Sequence, residues 1–95
     1  MLEKEIEQKL VKHVEKLGGL CWKFTSPGTV GVPDRIIIMP ENKIIFAELK
    51  TTFGRLANIQ KYRIGQLLDH GCDARVIKGA ESLNVLLNEV KDYAI

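Results

Sequence analysis

Cysteine is scarce in this 95-residue chain: Cys21 and Cys72 stand far apart, and neither belongs to a CxxC pair. That leaves a structural zinc site unsupported and suggests free thiols kept in a reducing cytoplasm. Prolines number three, no segment is low in complexity, and no stretch repeats another. With 45% hydrophobic and 27% charged residues the chain is neither disordered nor collagen-like. No apolar run approaches the ~18 residues of a membrane span, and the segment after Met1 is charged, unlike an export signal. An excess of one charge is missing too: 14 Lys and Arg face 12 Asp and Glu, a net +2 that announces no nucleic-acid partner. What remains is one cytoplasmic domain spanning residues 1–95. Its core is thin, since a chain this short buries only roughly 60–65% of its unfolded surface.

The charge is unevenly spread. Residues 50–63 carry Lys50, Arg55, Lys61 and Arg63 with no acid, whereas residues 80–95 carry Glu81, Glu89 and Asp92 against Lys91. A basic stretch on a nearly neutral chain is where a polyanion docks, although a solvated helix face has the same composition.

Residues 2–17 space Leu2, Ile6, Leu10, Val14 and Leu17 three to four apart, which predicts an amphipathic helix ended by Gly18-Gly19. Residues 20–24 (LCWKF) suit a strand, with Trp22 expected in the core. Residues 25–33 hold two prolines and two glycines and form a loop. Residues 34–39 and 43–50 read as strands of a hairpin around Pro40-Glu41-Asn42. Their runs Ile36-Ile37-Ile38 and Ile44-Ile45-Phe46 predict burial on both sheet faces. A helix over 56–70, a strand over 73–77 and a helix over 81–93 complete the order α-β-β-β-α-β-α. The fold class is α/β, a central mixed sheet flanked by helices.

Polar groups interrupt this apolar pattern at strand ends. If the hairpin turn uses three residues, Met39 pairs with Lys43 and Asp34 falls opposite Glu48. Cross-strand partners share a face with Cβ atoms ~5 Å apart. Two carboxylates so placed repel unless a cation lies between them, and hard oxygen ligands suit Mg²⁺ or Mn²⁺. Lys50, two residues beyond Glu48, shares its face. The plainer alternative has Asp34 capping a turn and Glu48 paired with Lys50. On the first helix Leu10, Val11 and Val14 lie within about 60° of Glu7 on the helical wheel, so Glu7 points at the sheet, with Glu3 one turn earlier. A glutamate there needs a partner, either the metal of Asp34 and Glu48 or a lysine reached past the thin core. His13 and His70 lack partners for zinc or nucleophilic chemistry. The glycines near Ser26 lack Walker spacing, so no nucleotide cofactor is expected.

Gly31-Val32-Pro33-Asp34 followed after thirteen residues by Glu48-Leu49-Lys50 resembles the PD-(D/E)xK nuclease signature. With the leading glutamate helix, Gly18-Gly19, Lys23-Phe24, Ser26-Pro27-Gly28 and Gln60, the chain is similar over its whole length to the small stand-alone VRR-NUC nucleases, relatives of Holliday-junction resolvases. The resemblance implies a divalent-metal endonuclease in which Asp34, Glu48 and the Leu49 carbonyl hold Mg²⁺ or Mn²⁺. It implies that Lys50 serves the attacked phosphate or the water, that Glu7 (Glu3 the alternate) is the helix acid, and that Gln60 supports the site. Ile64 stands where some relatives have tyrosine after that glutamine. DNA contacts are expected from Lys23, Ser26, Arg55, Lys61 and Arg63. Branched DNA, above all a four-way junction, is the expected substrate, in a bacterial or phage-infected cell and with no membrane partner. A domain of the same fold with an idle site, holding DNA or assembling with another protein, is the alternative. Cutting a junction symmetrically needs two sites, hence a homodimer. Its surface is expected among Leu83, Leu86, Leu87, Val90, Tyr93 and Ile95, or along strand 20–24.

Overall fold

A computed structural model describes residues 1–94; Ile95, named above among the spare apolar residues, lies outside them. The elements are α1 (Glu3–Lys16), β1 (Leu20–Lys23), β2 (Arg35–Met39), β3 (Lys43–Lys50), α2 (Asn58–Asp69), β4 (Asp73–Lys78) and α3 (Gly79–Val90), with a 3₁₀ turn over Lys91–Tyr93. The order is the expected α-β-β-β-α-β-α. The four strands lie side by side in sequence order. β1, β2 and β3 run antiparallel, and β4 joins β3 in parallel, with α2 as the crossover that such a pair requires. No helix among the described residues is long and apolar enough to cross a membrane.

Met39 pairs with Lys43, as the three-residue turn predicts. Glu41 and Asn42 turn the chain with φ of 65° and 60°, left-handed values that asparagine tolerates better than most residues. This register fixes which side chains share a face. Ile37, Met39, Ile45, Ala47 and Leu49 are buried beneath Ile6, Leu10 and Val14 of α1 and Leu83, Leu86, Leu87 and Val90 of α3.

The opposite face departs from expectation. Ile36 and Ile38 are only half-buried and Ile44 is exposed. Trp22, expected in the core, is 57% exposed, and Leu20 beside it 44%. The reason is the placement of α2: it packs chiefly against β4, at one side of the sheet, and buries none of its own residues fully. The sheet is therefore covered on one face, and on the other it is open over β1, β2 and the start of β3. The last helix also corrects the expectation of surplus: Leu83, Leu86, Leu87 and Val90 are all consumed by the monomer core, and Tyr93 packs against it.

Candidate active site

The β2–β3 ladder runs from Met39–Lys43 to Arg35–Ala47; one step further Asp34 faces Glu48. Asp34 is held on both sides. Its carbonyl accepts the Phe24 N–H at 2.8 Å, and its Oδ2 accepts the Leu49 N–H at 2.9 Å. The loop before it is pressed onto the first turn of α2. Gly31 has φ +89°, and a Cβ there would stand 2.8 Å from Ile59 Cγ1 and 3.1 Å from the Ile59 carbonyl carbon. Only glycine permits both the angle and the approach. That contact brings Gln60, the next residue of α2, to the carboxylates.

Glu48 is 1% exposed, the one buried charged residue among those described. Its Oε2 accepts from Gln60 Nε2 at 3.2 Å and lies 3.7 Å from Lys50 Nζ. Its Oε1 is buried and meets no donor. Burial first, then the charge and hydrogen bonding of Asp34, push the Glu48 carboxyl up to about 7; Lys50 opposes this and Glu3 adds to it. An unpartnered buried carboxylate oxygen is costly unless something fills its lone pairs.

Gln60 does two jobs that need an amide. Its Oε1 accepts the Ala57 N–H at 2.8 Å, closing the start of α2, while its Nε2 donates to Glu48. A glutamate could do only the first, and a lysine only the second.

The structure brings Asp34, Glu48, Lys50, Gln60 and the Leu49 backbone together. It does not bring Glu7. Strand alternation puts Arg35 with Ile37 on the face under α1, and Arg35 Nη2 pairs with Glu7 Oε2 at 3.1 Å. Arg35 also donates to the Cys21 carbonyl at 3.1 Å. Glu7 does point at the sheet, but at the face away from Glu48, and its partner is a guanidinium. The α1 acid whose charge reaches Glu48 is Glu3, in the first turn of that helix. Among the described residues no group of three or more His, Cys, Asp or Glu side chains could hold a metal; two acids meet here, not three.

Of the expected DNA contacts, Lys23 is exposed at the end of β1. Ser26 is half-buried, and its carbonyl accepts the Thr29 N–H at 3.0 Å. Arg63 is turned inward, donating to the Val30 carbonyl at 2.8 Å and to Gln66 Oε1 at 2.9 Å. Arg55 and Lys61 line a groove of about 570 Å³ with Lys50, Gly54, Leu56, Val76 and Lys78. Sequence reasoning missed Lys78. It registers beside Lys50 across the parallel β3–β4 ladder, a pairing that no local signal specifies.

The VRR-NUC domain family matches residues 2–81, and the chain belongs to that family. A phage protein named "Putative nuclease p44", from Acyrthosiphon pisum secondary endosymbiont phage 1, is 54% identical over 48 residues, 50% of this chain and 52% of that protein. The chain thus aligns with about half the length of this relative. Two solved structures share the fold. One, titled "VRR_NUC domain", has a TM-score of 0.85 at 24% identity, over 90% of this chain and 94% of its own. The other, "VRR_NUC domain protein", has a TM-score of 0.70 at 20% identity, over 99% and 91%.

Proposed function

We propose that this protein is a divalent-metal-dependent endonuclease that hydrolyses phosphodiester bonds in branched DNA, four-way junctions above all, in the cytoplasm of a bacterium or phage-infected cell. The observation that carries this reading is Glu48: buried, facing Asp34, and left with one oxygen that no donor in the protein satisfies. Hard oxygens in that state fit Mg²⁺ or Mn²⁺. Asp34 and Glu48 would hold the ion, with the Leu49 carbonyl, water and substrate phosphate completing its ligands. The ion supplies Lewis-acid neutralisation of the phosphoryl charge and a lowered pKa for water. Gln60 and the Leu49 amide orient the two carboxylates. Lys50, half-buried beside Glu48, offers a cation to the phosphoryl oxygens. Glu3 tunes the site through its charge, whereas Glu7 supports Arg35.

A DNA-binding module with an idle site is the second reading; that only two acids meet at the site among the described residues favours it. Purified protein incubated with labelled four-way junction, duplex and flap, in Mg²⁺, Mn²⁺ or chelator, separates the two. Cleavage of the junction that chelator abolishes supports the nuclease. Binding without cleavage in either metal supports the idle module.

The working form in this reading is a homodimer joined through the open sheet face rather than the last helix. Leu20, Trp22 and Ile44 form an exposed apolar patch there, of the kind that marks an interface. By strand alternation Ile44, Phe46 and Glu48 share that face, so two copies paired across it set both sites along one seam. Light scattering on junction DNA tests this; a mass staying near 10.7 kDa per protein unit overturns it, and Trp22→Glu should dissociate the pair.

A further inference from the structure

The groove beside the site has a feature that phosphate neutralisation leaves unexplained. Phe53 is 91% exposed, the highest value among the exposed large hydrophobic side chains described. It stands three residues after Lys50 and next to Gly54, which lines the groove. Its loop is pinned at both shoulders. Gly54 N–H donates to the Thr51 carbonyl at 3.0 Å. Gly79, at φ +77°, lies so close to Thr52 that a Cβ would meet Thr52 Oγ1 at 2.5 Å. The aromatic ring is thus presented by a turn fixed against the β4–α3 junction.

Three of the four cations of the groove, Arg55, Lys61 and Lys78, are likewise uncommitted. Lys43 and Arg75, elsewhere on the sheet, are neutralised by Asp73, and Arg75 also by Glu89. Among the described residues no acid lies within salt-bridge distance of Arg55, Lys61 or Lys78, and Lys50 meets only Glu48. A line of unpaired cations beside an exposed aromatic ring is the chemistry that holds single-stranded nucleic acid: phosphates on the cations, a base face on the ring. A duplex keeps its bases stacked inside and has no use for the ring.

We infer that the groove of Lys50, Arg55, Lys61 and Lys78 receives a single-stranded DNA segment next to the bond to be cut, and that Phe53 stacks on one of its bases. This rests on the reading of the chain as a DNA nuclease and deepens it. A flap, which carries an unpaired arm, satisfies the groove directly, whereas a four-way junction must unpair a base at its branch point to do so.

The test is fluorescence anisotropy of a labelled single-stranded oligonucleotide and a blunt duplex, in chelator and at low salt, so that no cleavage is required. Phe53→Ala should weaken single-strand binding about tenfold while duplex affinity stays the same; Phe53→Trp should restore the single-strand affinity. Lys78→Ala should weaken both ligands and lower the slope of log affinity against log salt by about one. Equal single-strand binding by Phe53→Ala and the unaltered protein, or equal losses on both ligands from Phe53→Ala, overturns the inference. If these binding effects hold while no DNA is cut in any metal, the nuclease reading fails and the groove stands. If junctions are cut while Phe53→Ala binds single strands as the unaltered protein does, the groove assignment fails alone.

Discussion

The two faces of the sheet are built from the same residue type and meet different fates. Under α1 and α3, Ile37 and Ile45 are wholly buried. On the other face Ile36 and Ile38, their chain neighbours, are only half-buried, and Ile44 is 39% exposed. The first face is a packed core rimmed by ion pairs, Arg35 with Glu7 at one place and Lys43, Asp73, Arg75 and Glu89 at another. The second carries the carboxylates, the groove and an apolar patch. Stability is thus concentrated on one side of the sheet, and the groups left electrostatically or apolarly unsatisfied lie on the other.

The largest effect that would test this division is on cleavage. If the proposed metal site is right, Glu48→Gln and Asp34→Asn should bring junction cleavage below detection while the fold persists, because each removes charge from that site and relieves repulsion between the two acids. Without metal, thermal stability should hold or rise. Full activity in either variant would remove the second face from the chemistry.

Next in size is the contrast between adjacent isoleucines. Ile45→Ala should cost about 2–5 kcal/mol in chemical denaturation at any protein concentration, and Ile44→Ala below about 1 kcal/mol at concentrations too low for two copies to pair. Equal losses that depend on protein concentration would mean that a second copy covers the open face.

A smaller, pH-dependent difference follows from Glu48. Its carboxyl ionises at about 7 in the fold against 4.5 ordinarily, so the unfolded chain releases this proton first. The stabilising contribution is full below the ordinary value, falls as pH rises toward 7, and is flat above. The metal-free protein should therefore gain melting temperature between about pH 7.5 and 5 relative to Glu48→Gln, which lacks this titration. Asp73, lowered to about 2 chiefly by its hydrogen bond to Arg75, contributes in the opposite sense and only in stronger acid. A melting series showing the same slope in both proteins would contradict the assignment.

The smallest contrast separates the two α1 acids. Glu7→Gln should destabilise by about 1 kcal/mol through the Arg35 pair, leaving the pH profile of cleavage in place. Glu3→Gln should shift that profile toward lower pH, by removing a charge that raises Glu48, with little change in stability. The reverse pattern would return the helix-acid role to Glu7.

The element order was legible because each segment carries its own period and its own stops: Gly18-Gly19 after α1, Pro40 to Asn42 in the hairpin, Gly71 before β4. The facing of Asp34 and Glu48 was legible for the same reason, since a hairpin's register follows from its turn length. Periodicity also aimed Glu7 at the sheet. It could not say which face of the sheet α1 covers, and that choice gave Glu7 to Arg35.

The sequence by itself determined the local elements, the hairpin register and the family motif, all of which rest on residues near one another in the chain. Tertiary structure alone decided the rest. The placement of α2 beside β4 left Trp22 and Ile44 uncovered. The parallel register of β4 brought Lys78 to Lys50, and the close approach of Gly79 to Thr52 fixed the loop that carries Phe53 next to groove-lining Gly54. These contacts join distant segments through packing, and no local period or turn encodes how two such segments will meet.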